Sequence, residues 1–106
     1  MKYYKYLYVG ESVHFVDRIK AKINKRSGLI GKYILYFSKD GEQLEIMNGA
    51  YLKLPYYAKH PLVIVGIAGN YNEAINLVQR IIEESLKETG KASIKDYLIS
   101  RTKAKD

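Results

Sequence analysis

The chain has 106 residues, a formal net charge of +7 and no cysteine. This length suits one domain, so we treat residues 1–106 as a single domain. The absence of cysteine excludes thiol catalysis, cysteine-metal sites and a disulfide scaffold, and it favours a reducing compartment. No apolar run approaches the roughly 20 residues of a membrane span, and the first residues lack the apolar segment of a signal peptide. We therefore expect a cytoplasmic protein without a membrane partner.

The positive charge is concentrated in the first part of the chain. Residues 1–60 contain eleven Lys or Arg against five Asp or Glu, whereas residues 61–106 contain seven against six. An anionic partner would therefore meet the first part. Plain solubility explains the same charge, and both interpretations stay open at this point.

The first predicted elements are a strand over residues 3–9 and a helix behind it. The two-residue period of the strand places three tyrosines on one face: Tyr4, Tyr6 and Tyr8. Gly10 ends the strand, and Ser12 is a suitable N-cap for a helix that runs to about Lys25. Four residues give this helix a thin apolar stripe: Val13, Val16, Ile19 and Ile23.

Three short extended segments are predicted next, at residues 32–39, 43–47 and 50–54. Asp40-Gly41 is a typical hairpin turn, and Asn48-Gly49 is either a second turn or a bulge. A loop is predicted over residues 55–61. The continuous apolar run 62–68 is too short for a helix and predicts a fully buried strand at the centre of the core.

Two helices are predicted after the buried strand. Asn70 is a suitable N-cap with Glu73 at capping-box spacing, and Gly90 ends the first helix. Ser93 begins a short second helix, and residues 101–106 are predicted to be a frayed, charged tail. The predicted order is β-α-β-β-β-α-α. We therefore expect an α+β fold of two layers, with a mostly antiparallel sheet and the helices mainly on one face.

The first predicted helix carries a cluster of cations. Five basic side chains fall on or beside one side of it: Arg18, Lys20, Lys22, Lys25 and Arg26. Cations at three- and four-residue spacing can follow phosphates, because each neutralised phosphate releases counterions. The alternative is an ordinary solvated helix face, on which Asp17 relieves part of the repulsion.

Tyrosine is unusually frequent, with 11 residues in the chain. Its flat ring and hydroxyl can stack on bases or anchor protein interfaces. Tyr4, Tyr6 and Tyr8 are therefore candidates for base stacking or for a homodimer interface. The alternative is that tyrosine is a good strand former whose rings are half buried.

Two further features are weaker candidates for sites. Gly66 and Gly69 precede a helix, where glycines can hold phosphate through backbone N–H groups, but close packing of helix on strand explains them equally well. His14 and His60 are the only histidines, and neither has clustered carboxylates nearby in sequence. We therefore expect no metal site and no cofactor.

One stretch resembles the second half of the GIY-YIG nuclease signature: Tyr8-Val9-Gly10-Glu11-Ser12, followed by Arg18. In that family a strand ending in Tyr-Ile-Gly leads to Ser or Thr, and the next helix carries an arginine. The resemblance implies metal-dependent DNA cleavage, with Tyr8, Gly10 and Arg18 as the matching residues. The first half of the signature is not found before Tyr8, and Glu45 and Glu73 are the only candidates for its downstream glutamate.

Taken together, the sequence favours a non-enzymatic binding domain, because it contains no catalytic dyad, metal cluster or nucleotide motif. We also expect this domain to form a homo-oligomer, namely a dimer. The expected ligand is nucleic acid or another anionic partner, bound by the basic helix. The order helix, three strands, helix is similar to that of double-stranded-RNA-binding domains, although the residues around Asn70 lack their basic patch. The alternatives are a homo-oligomeric interaction domain and a degenerate nuclease of the GIY-YIG type.

Overall fold

A computed structural model describes residues 1–38, 43–91 and 93–105. In chain order the elements are β1 (Lys2–Val9), α1 (Val16–Asn24), β2 (Tyr33–Ser38), β3 (Glu45–Asn48), a 3₁₀ helix (Gly49–Lys53), α2 (Tyr56–Lys59), β4 (Leu62–Ala68), α3 (Tyr71–Thr89) and α4 (Ile94–Lys105). The fold is α+β, as predicted. The hairpin turn predicted at Asp40-Gly41 lies outside the described residues.

The four strands form one mixed sheet in the order β1-β4-β2-β3. β4 pairs antiparallel with β2 and parallel with β1, and β2 pairs antiparallel with β3. Most of the pairing is therefore antiparallel. β4 is an interior strand, and all of its residues except the half-buried Val63 are buried. The prediction that this strand lies at the centre of the core is confirmed.

Helices cover both faces of the sheet, and this corrects the expectation of two layers. α3 and α4 pack on the face that carries Val65, whereas α1 packs on the opposite face, which carries Ile64. Successive strand residues point to opposite faces, so an apolar strand without alternation needs a cover on each side. The protein therefore has three layers, with the sheet in the middle.

α1 begins later than expected. Its first residue is Val16, and its N-cap is Phe15, which has a φ of 58° and makes no side-chain cap hydrogen bond. Ser12, the predicted cap, donates its hydroxyl to Glu73 Oε1 instead (2.9 Å). This bond holds the loop after β1 against the start of α3.

The segment after β3 is helical, whereas residues 50–54 were expected to be extended. Asn48 Oδ1 accepts a hydrogen bond from the Ala50 N–H (3.0 Å) and caps the 3₁₀ helix. Asn48-Gly49 is therefore a helix start and neither a hairpin turn nor a bulge. Gly49 packs against Leu29, where an added Cβ would lie 2.8 Å from the Leu29 Cβ. Part of the predicted loop 55–61 is the short helix α2.

α3 begins and ends at the predicted residues. Asn70 Oδ1 accepts a hydrogen bond from the Glu73 N–H (2.8 Å), and Gly90 ends the helix with a φ of 73°. The Glu73 carboxylate accepts from the Gly69 N–H (2.7 Å) rather than from Asn70. The cap is therefore formed, but the capping box is not closed in its usual form.

We expect Asn70→Ala to lower the free energy of unfolding by about 1 kcal/mol, because an N–H of the first turn of α3 loses its acceptor. Asn72 is exposed in the same turn and provides a matched control. Asn72→Ala is expected to change the free energy of unfolding by less than about 0.5 kcal/mol. Equilibrium urea unfolding measures both values, and equal effects would contradict a specific capping role for Asn70.

α4 places Ile94, Tyr97 and Leu98 on the core, as predicted. The helix then continues to Lys105, so residues 101–105 are helical where a charged tail was expected. Arg101 Nη1 donates a hydrogen bond to the Tyr8 hydroxyl of β1 (2.6 Å). α4 is thus attached to the sheet beyond its apolar residues.

Candidate functional site

The first candidate site is the solvent side of α1. Ile19 and Ile23 are buried against the sheet, whereas Arg18, Lys22 and Lys25 are exposed. The helical period produces this separation, because the apolar stripe faces inward and the residues between point outward. We use the name basic face for the five predicted cations: Arg18, Lys20, Lys22, Lys25 and Arg26.

Two members of the basic face also contact other parts of the protein. Lys20 is half-buried, and its Nζ lies 5.0 Å from the centroid of the Tyr3 ring, a suitable geometry for a cation–π contact. Arg26 follows α1 with a φ of 59° and lines a small cavity together with Tyr57. Lys20 is therefore the cation least available to a partner.

Phe15 also lies on the solvent side of α1, although no pattern in the sequence pointed to it. Its side chain is 69% exposed, and its φ of 58° is unusual for a residue with a bulky side chain. The Arg18 guanidinium carbon lies 4.8 Å from the Phe15 ring centroid. In the sequence, the one sign that Phe15 could be exposed is that it falls outside the apolar stripe of the helix.

The 3₁₀ helix and α2 carry several aromatic rings, and one of them, Tyr57, lies beside the end of α1. Tyr51 and Tyr56 are 56% and 58% exposed. A cavity of about 120 Å³ lies between the end of α1 and α2, where Arg26 and Tyr57 are among its lining residues. We use the name aromatic segment for Tyr51, Tyr56, Tyr57 and His60. The sequence showed these rings, but not that Tyr57 shares a cavity with Arg26 of the basic face.

The chain around α1, the 3₁₀ helix and α2 is strongly cationic. Among the described residues, 16–38 and 43–61 contain eight Lys or Arg and only two acidic residues, Asp17 and Glu45. Residues 69–91 and 93–105, which include α3 and α4, contain seven Lys or Arg and five acidic residues. A negatively charged partner is therefore attracted towards the α1 side.

Tyr4, Tyr6 and Tyr8 share one face of β1 as predicted, but α3 and α4 cover it. Tyr8 is 5% exposed, the Tyr4 hydroxyl donates to the Leu98 carbonyl (2.9 Å), and the half-buried Tyr6 ring lies 5.2 Å from the Arg101 guanidinium carbon. This cover leaves little of the three rings exposed for the base stacking or homodimer interface that the sequence suggested. These rings lie on the opposite side of the sheet from the basic face, so the two predicted sets form no common surface.

The Tyr8 hydroxyl belongs to a hydrogen-bonded network around Glu84. It donates to Glu84 Oε1 (2.6 Å), which also accepts from the Tyr97 hydroxyl (3.2 Å), and it accepts from Arg101. Burial raises the pKa of Tyr8, and the bond to Glu84 raises it further. Burial opposes ionisation of Glu84, but hydrogen bonds from Tyr8, Arg80 and Tyr97 outweigh it and lower the pKa of Glu84. This network joins β1, α3 and α4.

The glycine junction before α3 holds a carboxylate of the protein itself. The Gly69 N–H donates to Glu73 Oε1, and Ser12 donates to the same carboxylate. The backbone bond from Gly69 is the main reason that the pKa of Glu73 is lowered. At Gly66 an added Cβ would lie 3.1 Å from the Tyr8 carbonyl oxygen. Close packing therefore accounts for these glycines, and the Gly69 N–H is not available to a phosphate.

The residues that match the nuclease signature do not converge. Tyr8 packs with α3 and α4, whereas Arg18 lies on α1, on the opposite face of the sheet. Glu73 is held by Gly69 and Ser12, and Glu45 lies in β3. Among the described residues, no group of three or more His, Cys, Asp or Glu is placed to hold a metal ion.

No protein-family model matches the chain, and no curated protein or solved structure matches it significantly. Within residues 1–38, 43–91 and 93–105, no helix has the length and apolar character needed to cross a membrane. The interpretation of the basic face therefore depends on its own geometry and charge.

Proposed function

We propose that this chain is a cytoplasmic, non-enzymatic domain that binds the phosphate backbone of nucleic acid through its basic face. The observation that supports it best is that α1 holds Arg18, Lys22 and Lys25 in solvent, while Ile19 and Ile23 fix the helix on the sheet. The cations are therefore positioned before a ligand arrives, which reduces the cost of ordering them on binding.

The dimensions of α1 set the size of this site. From Arg18 to Lys25 the helix rises about 10 Å, and each strand of duplex DNA carries one phosphate for about every 3.4 Å of the duplex axis. The basic face therefore suits about three or four phosphates. The logarithm of the affinity should then fall with the logarithm of the salt concentration with a slope of about −3.

We expect the double variant Lys22→Ala/Lys25→Ala to bind more weakly and to lose about 1.5 from the magnitude of this slope, because two phosphate contacts are removed. Lys87→Ala/Lys91→Ala is the matched control, since both lysines are exposed but lie elsewhere, Lys87 in the last turn of α3 and Lys91 just after its C-cap. It changes the net charge equally and should leave the slope unchanged. Fluorescence anisotropy of labelled DNA and RNA, titrated from low to physiological salt, measures both variants.

The same samples separate the proposal from its alternatives. Absence of binding at low salt would overturn the proposal, as would equal slopes for the two double variants. Light scattering that showed a stable dimer without binding would favour a homo-oligomeric interaction domain. Metal-dependent cleavage of the labelled strands, abolished by Arg18→Ala, would favour the nuclease.

A further inference from the structure

We infer that the ligand of the basic face is a single-stranded nucleic acid, with at least one unpaired base stacked on the aromatic segment. This inference rests on the proposed function and narrows its ligand class. It requires that cations and accessible aromatic rings lie on one side of the protein, that the rings are held in place, and that the two sets are adjacent.

Exposed rings are concentrated on the cationic side. Four Phe or Tyr side chains of the described chain are more than half exposed: Phe15, Tyr51, Tyr56 and Tyr71. Phe15 is the N-cap of α1, Tyr51 lies in the 3₁₀ helix and Tyr56 lies in α2. Of the four, only Tyr71 belongs to α3. Scattered apolar side chains on a surface are ordinary, but this set coincides with the part of the chain in which the excess of cations over acids is largest.

Tyr56 is held in position by its neighbours. Its ring stacks on the His60 ring with centroids 4.1 Å apart and an interplanar angle of 13°. The Tyr57 ring meets it nearly at right angles (88°) with centroids 5.0 Å apart. His60 is fixed in turn, because its Nδ1 lies 2.9 Å from the Tyr56 carbonyl oxygen. The Tyr56 ring is therefore oriented before any base binds, and since Tyr56 is 58% exposed, much of the residue remains in contact with water.

The cavity between α1 and α2 connects the aromatic segment to the basic face. It has a volume of about 120 Å³ and combines apolar residues such as Leu52 with Asn24, Arg26 and Tyr57. An amide and a guanidinium offer hydrogen-bond donors, and the amide also offers an acceptor. The edge of a base stacked nearby, or its phosphate, thus finds polar partners at the end of α1.

The combination of cations and accessible rings distinguishes single strands from duplexes. In a duplex the faces of the bases are stacked on one another and are closed to aromatic side chains. Unpaired bases expose both their faces and their edges, and proteins bind them by stacking on Tyr or Phe beside a positively charged surface. Phosphate contacts alone would not require the aromatic segment.

The test compares a labelled single strand with the corresponding duplex at one salt concentration. Wild type should prefer the single strand. Tyr56→Ala should lower its affinity for the single strand about tenfold, since one base loses its stacking partner, with the salt slope unchanged. Tyr56→Phe keeps the ring and should bind like wild type. Tyr71→Ala is the matched control, because Tyr71 is 52% exposed at the start of α3.

The outcomes separate the inference from the proposed function. Equal or tighter binding of the duplex by wild type would overturn the inference and leave the proposed function standing. Wild-type affinity in both Tyr56→Ala and Tyr51→Ala would also overturn the inference and leave the proposed function standing. Circular dichroism shows whether Tyr56→Ala is still folded. If it is not, Tyr51→Ala alone provides the test. Failure of wild type to bind either ligand at low salt would remove the proposed function itself.

Discussion

Ile64→Ala and Val65→Ala should both destabilise the protein, although the two residues are neighbours that face opposite sides of the sheet. We expect losses of about 3 kcal/mol for Ile64→Ala and about 2 kcal/mol for Val65→Ala. The two side chains are 0% and 1% exposed. Each substitution loses the free energy of burying the deleted methyl groups and also leaves a cavity that the surroundings fill only partly.

This pair of variants tests the three-layer arrangement directly. Ile64 belongs to the cluster that includes Ile19 and Ile23 of α1, whereas Val65 belongs to the cluster under α3 and α4. In a two-layer protein, one of the two side chains would face solvent and its truncation would have little effect. Ile30→Ala is the matched control, since Ile30 is 94% exposed and should change stability by less than about 0.5 kcal/mol. Urea unfolding provides the free energies, and a small effect at either buried position would contradict three layers.

The same layers explain which parts of the fold could be predicted. The ends of α3 follow from local chemistry, because the partners of Asn70 lie within one helical turn and Gly90 ends the helix without help from distant residues. Ser12 is different. Its hydroxyl bonds to Glu73, 61 residues further along the chain, so a pattern that compares neighbours selects Ser12 as a cap and misses Phe15.

Layer number could have been inferred from β4 alone. A strand that is apolar at every position indicates cover on both faces, and this conflicts with a two-layer arrangement that leaves one face to be explained. What the pattern could not provide was the identity of each cover. That depends on the path of the chain, which places α1 on the side of Ile64 and brings α4 over Tyr4 and Tyr8.

The candidate site also has one part that the sequence predicts and one part that it does not. The basic face was predictable because residues three and four apart share one side of a helix. The position of Tyr57 beside Arg26 was not predictable, since it depends on how the 3₁₀ helix and α2 pack near the end of α1. The sequence suggested that Tyr8 stacks on bases or forms a dimer interface, and it could not show that the Tyr8 hydroxyl is bonded inside the protein. The residues that contact this hydroxyl, Glu84 and Arg101, are 76 and 93 residues away along the chain.

Glu84→Gln should lower the free energy of unfolding by about 2 kcal/mol at neutral pH, because hydrogen bonds to a charged acceptor are worth about 1.5 to 3 kcal/mol. The Glu84 side chain is 30% exposed, which places the effect in the lower part of that range. The amide keeps the size of the side chain but removes the charge that Tyr8, Tyr97 and Arg80 contact. Glu88→Gln changes the net charge equally at an exposed position of α3 and should change stability by less than about 0.5 kcal/mol.

The pH dependence of this difference shows whether the charge of Glu84 is responsible. The pKa of Glu84 in the folded protein lies below its ordinary value of 4.5, so the ionised carboxylate favours the folded state. Its contribution is fully present above the unfolded pKa and is lost as the pH falls through the lowered, folded pKa. The gap between wild type and Glu84→Gln should therefore be large at neutral pH and should narrow as the pH falls through the lowered, folded pKa, below which both side chains are uncharged. Urea unfolding at neutral pH and at a series of acidic pH values measures this gap, and a gap of constant size would mean that the shape of the side chain, rather than its charge, holds β1, α3 and α4 together.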